Sequence, residues 1–267
     1  MKKILFSVMV LLLSSIAFAQ PTLQKVWETD STTLKGPESV LYDSKSNSLY
    51  ASSMNAGKVV RFDLNGKIIR NDWVTGLVSN KGSAIFNGLF YTAETAAVAV
   101  IDAEKATIIK RIPVEGAQML NDLAIDAKGI IYVADTRAGK VYRIEGDKPA
   151  LYLENIPGAN GLLTIGTDVY VLGSTNFIKV DAQKTITKIA DGFENGLDGI
   201  VMIADNEFIL SNYKGILYFV KTDGTNQVLQ DTRPNGIMSN DIGYNPQSKM
   251  LYVPSFSTNR IIAYKVN

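Results

Sequence analysis

The segment Asn121-Asp-Leu-Ala-Ile-Asp-Ala-Lys-Gly-Ile-Ile-Tyr-Val-Ala-Asp135 sets the reading of the whole chain. A polar residue opens a short apolar strand, an Asp-Ala-Lys-Gly turn reverses the chain, and an aromatic-containing strand returns to end on an acid. Lys140-Val-Tyr-Arg-Ile follows as a third strand. Short runs of β-branched and aromatic residues bounded by turn formers read as antiparallel strands rather than helices. The same unit recurs as Glu38-Ser-Val-Leu-Tyr with Ser48-Leu-Tyr-Ala-Ser, and as Lys81-Gly-Ser-Ala-Ile-Phe with Leu89-Phe-Tyr-Thr-Ala-Glu94. It returns as Asn160-Gly-Leu-Leu-Thr with Val169-Tyr-Val-Leu-Gly173, and as Asp198-Gly-Ile-Val-Met with Glu207-Phe-Ile-Leu-Ser211. The last copy is Asn240-Asp-Ile-Gly-Tyr with Met250-Leu-Tyr-Val-Pro254. The leading residues 38, 81, 121, 160, 198 and 240 are spaced by 43, 40, 39, 38 and 42. Four strands in ~40 residues, repeated without helical periodicity, is the pattern of a β-propeller. Six leading residues predict an all-β domain of six blades.

The ends of the chain sharpen this. After Asn240 only three strands fit before the sequence stops, roughly 240–244, 249–254 and 259–266. Leu23 to Thr29 has strand composition and belongs to no other unit. It is expected to supply the missing strand of the last blade, which removes the free sheet edges an open array would leave. Ahead of it, Lys2 and Lys3 precede an apolar run from Ile4 to Ile16, and Ala17-Phe-Ala19 offers small residues for cleavage before Gln20. That is the form of a secretory signal peptide, so residues 1–19 are expected to be removed and residues 20–267 to form the propeller. The expectation is an exported protein, periplasmic or secreted, with no membrane anchor once the leader is cut. Losing Lys2 and Lys3 takes the basic count from 27 to 25 against 26 acidic residues, a formal charge of −1.

Composition narrows the chemistry. The 267 residues include no His and no Cys. That excludes a Ser-His-Asp triad, a thiol nucleophile, disulfides, and zinc held by imidazole or thiolate. Balanced charge gives no support to a polyanion-binding surface, and no nucleic-acid motif is present. Catalysis here must come from carboxylates, amides, hydroxyls, Lys, Arg or an oxygen-loving metal.

A propeller tells where such groups meet. The innermost strands all start on one face around one axis, so Glu38, Lys81, Asn121, Asn160, Asp198 and Asn240 are expected to converge. The second strands end on the same face, adding Ser53, Glu94, Asp135, Asn212 and Ser255. Each Asn or Asp alone reads most simply as a turn residue, but Glu38 and Lys81 are not turn formers. Two carboxylates with several amide oxygens suit one divalent cation: Ca²⁺ first, Mg²⁺, Mn²⁺ or Zn²⁺ as alternatives. The second-strand aromatics Tyr50, Tyr91, Tyr132, Tyr170, Phe208 and Tyr252 are expected to pack between blades, as are Trp27 and Trp73.

The segments Gly36-Pro-Glu-Ser-Val, Asn121-Asp-Leu-Ala-Ile-Asp-Ala-Lys-Gly, Asn160-Gly-Leu and Asp198-Gly-Ile resemble the senescence marker protein / gluconolactonase / luciferin-regenerating enzyme family. These are six-bladed propellers with a divalent metal at the channel mouth. The resemblance implies that Glu38, Asn160 and Asp198 are metal ligands and that Asn121 contacts substrate or a metal-bound water. It makes Asp198 the general base in hydrolysis of a sugar lactone or similar ester. Asn240, Glu94 and Asp135 are then candidates for touching substrate or supporting the ligands from behind. Two features depart from the family. Asn160 is followed by Gly161-Leu-Leu-Thr-Ile-Gly, without the acidic and Trp residues often found there, and Lys81 takes the blade-two position. Three placements are open for its ammonium. It pairs with Glu38 or Asp198 and competes with a cation, or lies across the mouth and stabilises an oxyanion, or reaches solvent along its aliphatic stem. If Lys81 replaces the metal, the alternative is a non-catalytic propeller that binds a small ligand or a protein through the same face.

Overall fold

The computed structural model describes residues 20–267, so the expected signal peptide lies outside the described residues. Six four-stranded antiparallel sheets stand around one axis. Blade one runs Val40–Asp43, Ser48–Ser53, Lys58–Phe62 and Ile68–Thr75 from the axis outward. The innermost strands of the next five blades are Ser83–Phe86, Leu120–Ile125, Leu162–Ile165, Leu197–Ala204 and Gly243–Asn245. Each contacts its successor, and the last contacts Val40–Asp43, so the ring is complete. Among the described residues the helical content is two single 3-10 turns, Met54–Ala56 and Arg233–Asn235.

The apolar residues sort into six clusters, each between two neighbouring blades rather than within one. Tyr50, Trp73 and Phe90 join blades one and two, with Tyr50 and Phe90 ring centroids 5.6 Å apart. Tyr170, Phe177 and Phe208 join blades four and five, Tyr170 lying 5.2 Å from Phe208. The in-and-out alternation of each strand thus feeds two seams, one on each face of its sheet. In the hairpins at Asn65-Gly66 and Asp223-Gly224 only the glycines are left-handed, with φ of 80° and 90°. The Asp63 carboxylate, accepting the Asn65 and Lys67 amides at 2.9 Å each, shapes the first of these turns.

Blade six is built from both ends of the chain. Leu23–Glu28 pairs antiparallel with Arg260–Val266, Leu23 opposite Val266 and Glu28 opposite Ile262, with a bulge between Lys25 and Trp27. Trp27 stacks near Tyr252, 5.8 Å between centroids, and its ring lies so close to Gly66 of blade one that a Cβ there would meet Cζ3 at 2.7 Å. The closing strand therefore clamps the blade six–blade one seam as well as completing its own sheet.

Trp27→Ala is expected to lower the free energy of unfolding by about 2 kcal/mol or more, the loss typical of removing a large packed aromatic that is not fully enclosed. Urea unfolding of the purified protein measures it; a change below about 0.5 kcal/mol would remove Trp27 from the closure. Deleting residues 20–28 is expected to turn a monodisperse protein into a self-associating one on size-exclusion chromatography, because Arg260–Val266 becomes a bare edge.

Candidate functional site at the channel mouth

All six leading side chains line one cavity of about 430 Å³ at the channel mouth. Each is between 2% and 7% exposed. Their placement depends on irregular pairing at the tops of the innermost strands. Register breaks between Leu120 and Leu123, and between Leu197 and Ile200, so Asn121 and Asp198 sit on bulges that re-aim their side chains toward the axis. Behind them the Ser52 hydroxyl accepts the Glu38 and Ser39 amides at 3.1 and 2.8 Å, and the Ser211 hydroxyl accepts the Gly199 amide at 2.8 Å.

Asp198 is the centre of the hydrogen bonding. Its Oδ1 accepts the Asn160 amide at 2.8 Å and its Oδ2 accepts the Asn240 amide at 3.2 Å. Asn240 Oδ1 accepts the Phe256 backbone N–H at 3.1 Å, which fixes that amide's orientation. Asn121 Nδ2 donates to the Thr136 hydroxyl at 3.1 Å, and that hydroxyl donates to the Ala159 carbonyl at 2.7 Å. Two oxygens are left over: Glu38 Oε2 and Asn160 Oδ1 are buried with no hydrogen-bond donor among the described residues. A buried acceptor without a partner is costly, and a hard cation is the partner that suits a carboxylate beside an amide oxygen. Among the described residues no group of three acidic side chains converges closely enough to grip an ion alone. Any such set would therefore need a neutral oxygen beside the carboxylates, and the unpartnered amide oxygen of Asn160 is one that could serve with Glu38 and Asp198.

Lys81 is inside the mouth, not drawn out to solvent. Its ammonium donates to the carbonyl and hydroxyl of Ser79, at 3.2 and 3.4 Å, rather than to a carboxylate. Ser79 takes the left-handed backbone conformation, φ 53°, a position a non-glycine residue seldom holds. Burial pulls the Lys81 ammonium below its ordinary range, while the Glu38 charge pulls the other way.

The second-strand ends do different work. The Glu94 carboxylate accepts the Val78 amide at 2.8 Å and pairs with Arg111 Nε at 2.7 Å. The Asp135 carboxylate accepts the Gln118, Met119 and Ala138 amides at 2.7, 3.0 and 3.1 Å. Ser53 accepts the Lys35 amide, Asn212 donates to the Glu194 carbonyl, and Ser255 accepts the Met238 amide. Each clips the loop that leads into its own blade's innermost strand. Glu94 and Asp135 are not among the residues lining the mouth cavity, whereas Asn240 lines it and holds Asp198.

Two carboxylates near the centre escaped the sequence reading. Asp122 and Asp241 follow Asn121 and Asn240, where strict alternation would turn them away. Asp122 accepts the Leu123 and Leu162 amides at 2.7 Å each, and Asp241 accepts the Ser39 hydroxyl at 2.6 Å. Neighbouring blades make room for them with glycine: a Cβ on Gly82 would fall 2.1 Å from Asp122 Oδ1, and one on Gly199 2.6 Å from Asp241 Oδ1. The positions after the six leading residues read Ser39, Gly82, Asp122, Gly161, Gly199 and Asp241, and a glycine one blade ahead of each acid is the signal that was available. Both acids also top a second cavity, about 630 Å³, that continues down the channel. Glu38, Asp122 and Asp198 are all held well above the usual carboxylate range, chiefly by burial, with neighbouring acids adding to it. Burial pushes Asp241 up to about 7.

Fold and site together define a six-bladed β-propeller with carboxylates and amides gathered at one mouth. The sequence matches no protein-family model and no curated protein. Its fold is similar to that of a gluconolactonase from Xanthomonas campestris, at 15% identity and a TM-score of 0.70, covering 88% of this chain and 87% of that one. A luciferin-regenerating enzyme aligns at 15% identity and a TM-score of 0.66, over 93% and 95% of the two chains. Virginiamycin B lyase from Staphylococcus aureus aligns at 16% identity and a TM-score of 0.65, over 93% and 88%. At these identities the likeness is one of fold.

Folded Asp241 keeps its proton to about pH 7, whereas an unfolded aspartate releases it near 3.8. The folded state therefore binds more protons in that window, and stability must fall as pH rises through it. For protein freed of metal by a chelator, Tm is expected to drop by about 3 °C or more between pH 4.5 and 7.5, and by less in Asp241→Asn. A flat profile in the parent protein would contradict the buried charge.

Proposed function

We propose that the chain is an exported, metal-dependent hydrolase of lactones or related esters, of the gluconolactonase type, working at the propeller mouth. The observation that carries this is the pair of donor-less buried oxygens, Glu38 Oε2 and Asn160 Oδ1, beside Asp198. Those three residues would hold one divalent cation, with Ca²⁺ the first choice for an all-oxygen set and Mg²⁺, Mn²⁺ or Zn²⁺ as alternatives. When bound, the cation would polarise the substrate carbonyl. The gluconolactonase and luciferin-regenerating folds support the same class. The leader-like residues 1–19, with Lys2 and Lys3 before an apolar run, support export to the periplasm or beyond.

The chain's own groups divide the remaining work. Asn160 and Asn240 hold the Asp198 carboxylate in one orientation, which suits it to act as general base. Asp198 takes a proton from water as the water oxygen bonds to the carbonyl carbon. The ring C–O bond then breaks, and the leaving alkoxide recovers a proton to give a hydroxy acid. Asn121, fixed through Thr136, would orient substrate. The Lys81 ammonium adds positive charge where the carbonyl oxygen becomes anionic.

Lys81 also favours a second reading. A buried ammonium near Glu38 offsets the same negative charge a cation would, which fits a non-catalytic propeller binding a small ligand or a protein through this face. Metal analysis after exhaustive dialysis separates the two. The enzyme reading expects about one divalent ion per chain, lost in Glu38→Gln, and a fall of about 100-fold or more in lactone hydrolysis for Asp198→Asn. A parent protein that retains no ion and hydrolyses no lactone with Ca²⁺, Mg²⁺, Mn²⁺ or Zn²⁺ supplied would leave the binding reading standing.

A further inference from the structure

The rim of the mouth differs in character from its floor. Met54, Met119, Leu197, Tyr213, Met238 and Phe256 surround the polar centre. The three methionines come from loops of three different blades, one, three and six, and all are half-buried. Methionine is flexible and polarisable, so three thioethers around one opening make an apolar surface that adapts to the shape pressed against it. The aromatic walls are fixed instead. Phe256 of blade six lies over Gly36 of blade one, where a Cβ would meet its Cε2 at 2.6 Å, and Tyr213 lies over Gly196, at 2.4 Å from Cε1. Both glycines have positive φ, 58° and 115°, so backbone and ring are matched to one another at each wall.

The supply of hydrogen bonds at this rim is small. The Thr136 hydroxyl is committed to Asn121 and Ala159, and the Asn240 amide to Asp198 and Phe256. Among the described residues no arginine lines the cavity. Beyond the floor, Ser174, Asn195 and the Tyr213 hydroxyl are the polar groups left to meet a substrate. A polyhydroxylated sugar lactone carries several hydroxyls, each losing water on entry, and a rim made mostly of thioethers and rings, with one phenol hydroxyl at Tyr213, returns few of those bonds. An alkyl or aryl substituent has the opposite balance, since it gains free energy from every methylene covered.

Resting on the lactonase reading above, we propose that the preferred substrates are lactones or esters bearing an apolar alkyl or aryl body, selected by the methionine–aromatic rim rather than by hydroxyl recognition. The reacting carbonyl sits over Glu38, Asn160 and Asp198 while the apolar body lies between the methionines and Phe256. The adaptable thioethers make the rim tolerant of chain length.

A series of δ-lactones with growing alkyl tails, δ-hexalactone, δ-octalactone and δ-decalactone, tests this beside glucono-δ-lactone, using the metal-loaded protein and acid release as readout. The expected result is a kcat/KM that climbs with tail length, by up to about fourfold per methylene, mostly through KM, and exceeds that for glucono-δ-lactone by about tenfold or more. In Met54→Ser with Met238→Ser the slope against tail length is expected to flatten, a change that loss of fold alone would not produce. The parent series stands without that variant should it fold poorly. Faster turnover of glucono-δ-lactone with no dependence on tail length would overturn this substrate class and leave the hydrolase intact. Failure to hydrolyse any of the four lactones would overturn the hydrolase reading, and this inference with it.

Discussion

The mouth of the propeller lies across the seam where the ring closes. Glu38 belongs to blade one and Asn240 and Asp241 to blade six, and the two blades are bonded there through the backbone. The Asp241 amide donates to the Glu38 carbonyl at 3.0 Å, and the Val40 amide donates to the Asp241 carbonyl at 3.3 Å. Beside them Ser39 and Asp241 form a short parallel bridge. Leu23–Glu28 completes the sheet of blade six at its outer edge, while its inner edge meets blade one. The seam that closes the ring therefore also carries part of the site. The residue that orients Asp198 from one side, Asn240, is delivered by the last blade, and the unpartnered Glu38 by the first.

Convergence of this kind has an electrostatic cost. Glu38, Asp122, Asp198 and Asp241 gather around one axis, and Lys81 is the basic side chain set among them. Buried charge of one sign is tolerated only when protonated, paired or matched by an ion. The protein manages part of it with neutral donors: two amides on Asp198, two backbone amides on Asp122, a serine hydroxyl on Asp241. What those donors leave unmet is concentrated at Glu38 and Asn160. Glycine at 82 and 199 is the steric counterpart, since any side chain there would collide with an acid from the next blade.

The rim answers a different question from the floor. Polar groups at the centre are held by bonds that fix their geometry, whereas the methionines above them are fixed by little. A rigid reacting centre under an adaptable apolar opening separates the chemistry from the choice of substrate. Chain ends, loops and blade seams each contribute: Phe256 over Gly36 ties one wall of the opening to the same closure that positions Glu38.

The sequence by itself determined the repeat, the six blades, and the borrowed outer strand Leu23–Glu28, because strand periodicity and turn residues are local and a missing strand can be counted. It also determined which six side chains meet, since equivalent positions in a ring must face one axis. What only the tertiary structure decided is how they meet. That Asn160 and Asn240 hold Asp198, and that Glu94 and Asp135 clip loops instead of facing the cavity, are matters of a few ångströms between segments 16 to 42 residues apart, and the packing of the mouth turns Lys81 back to Ser79, two residues away. Asp122 and Asp241 were hidden for a related reason. The irregular pairing that turns consecutive side chains toward the axis arises from backbone bonds between strands and between blades, and alternation along one strand carries no trace of them.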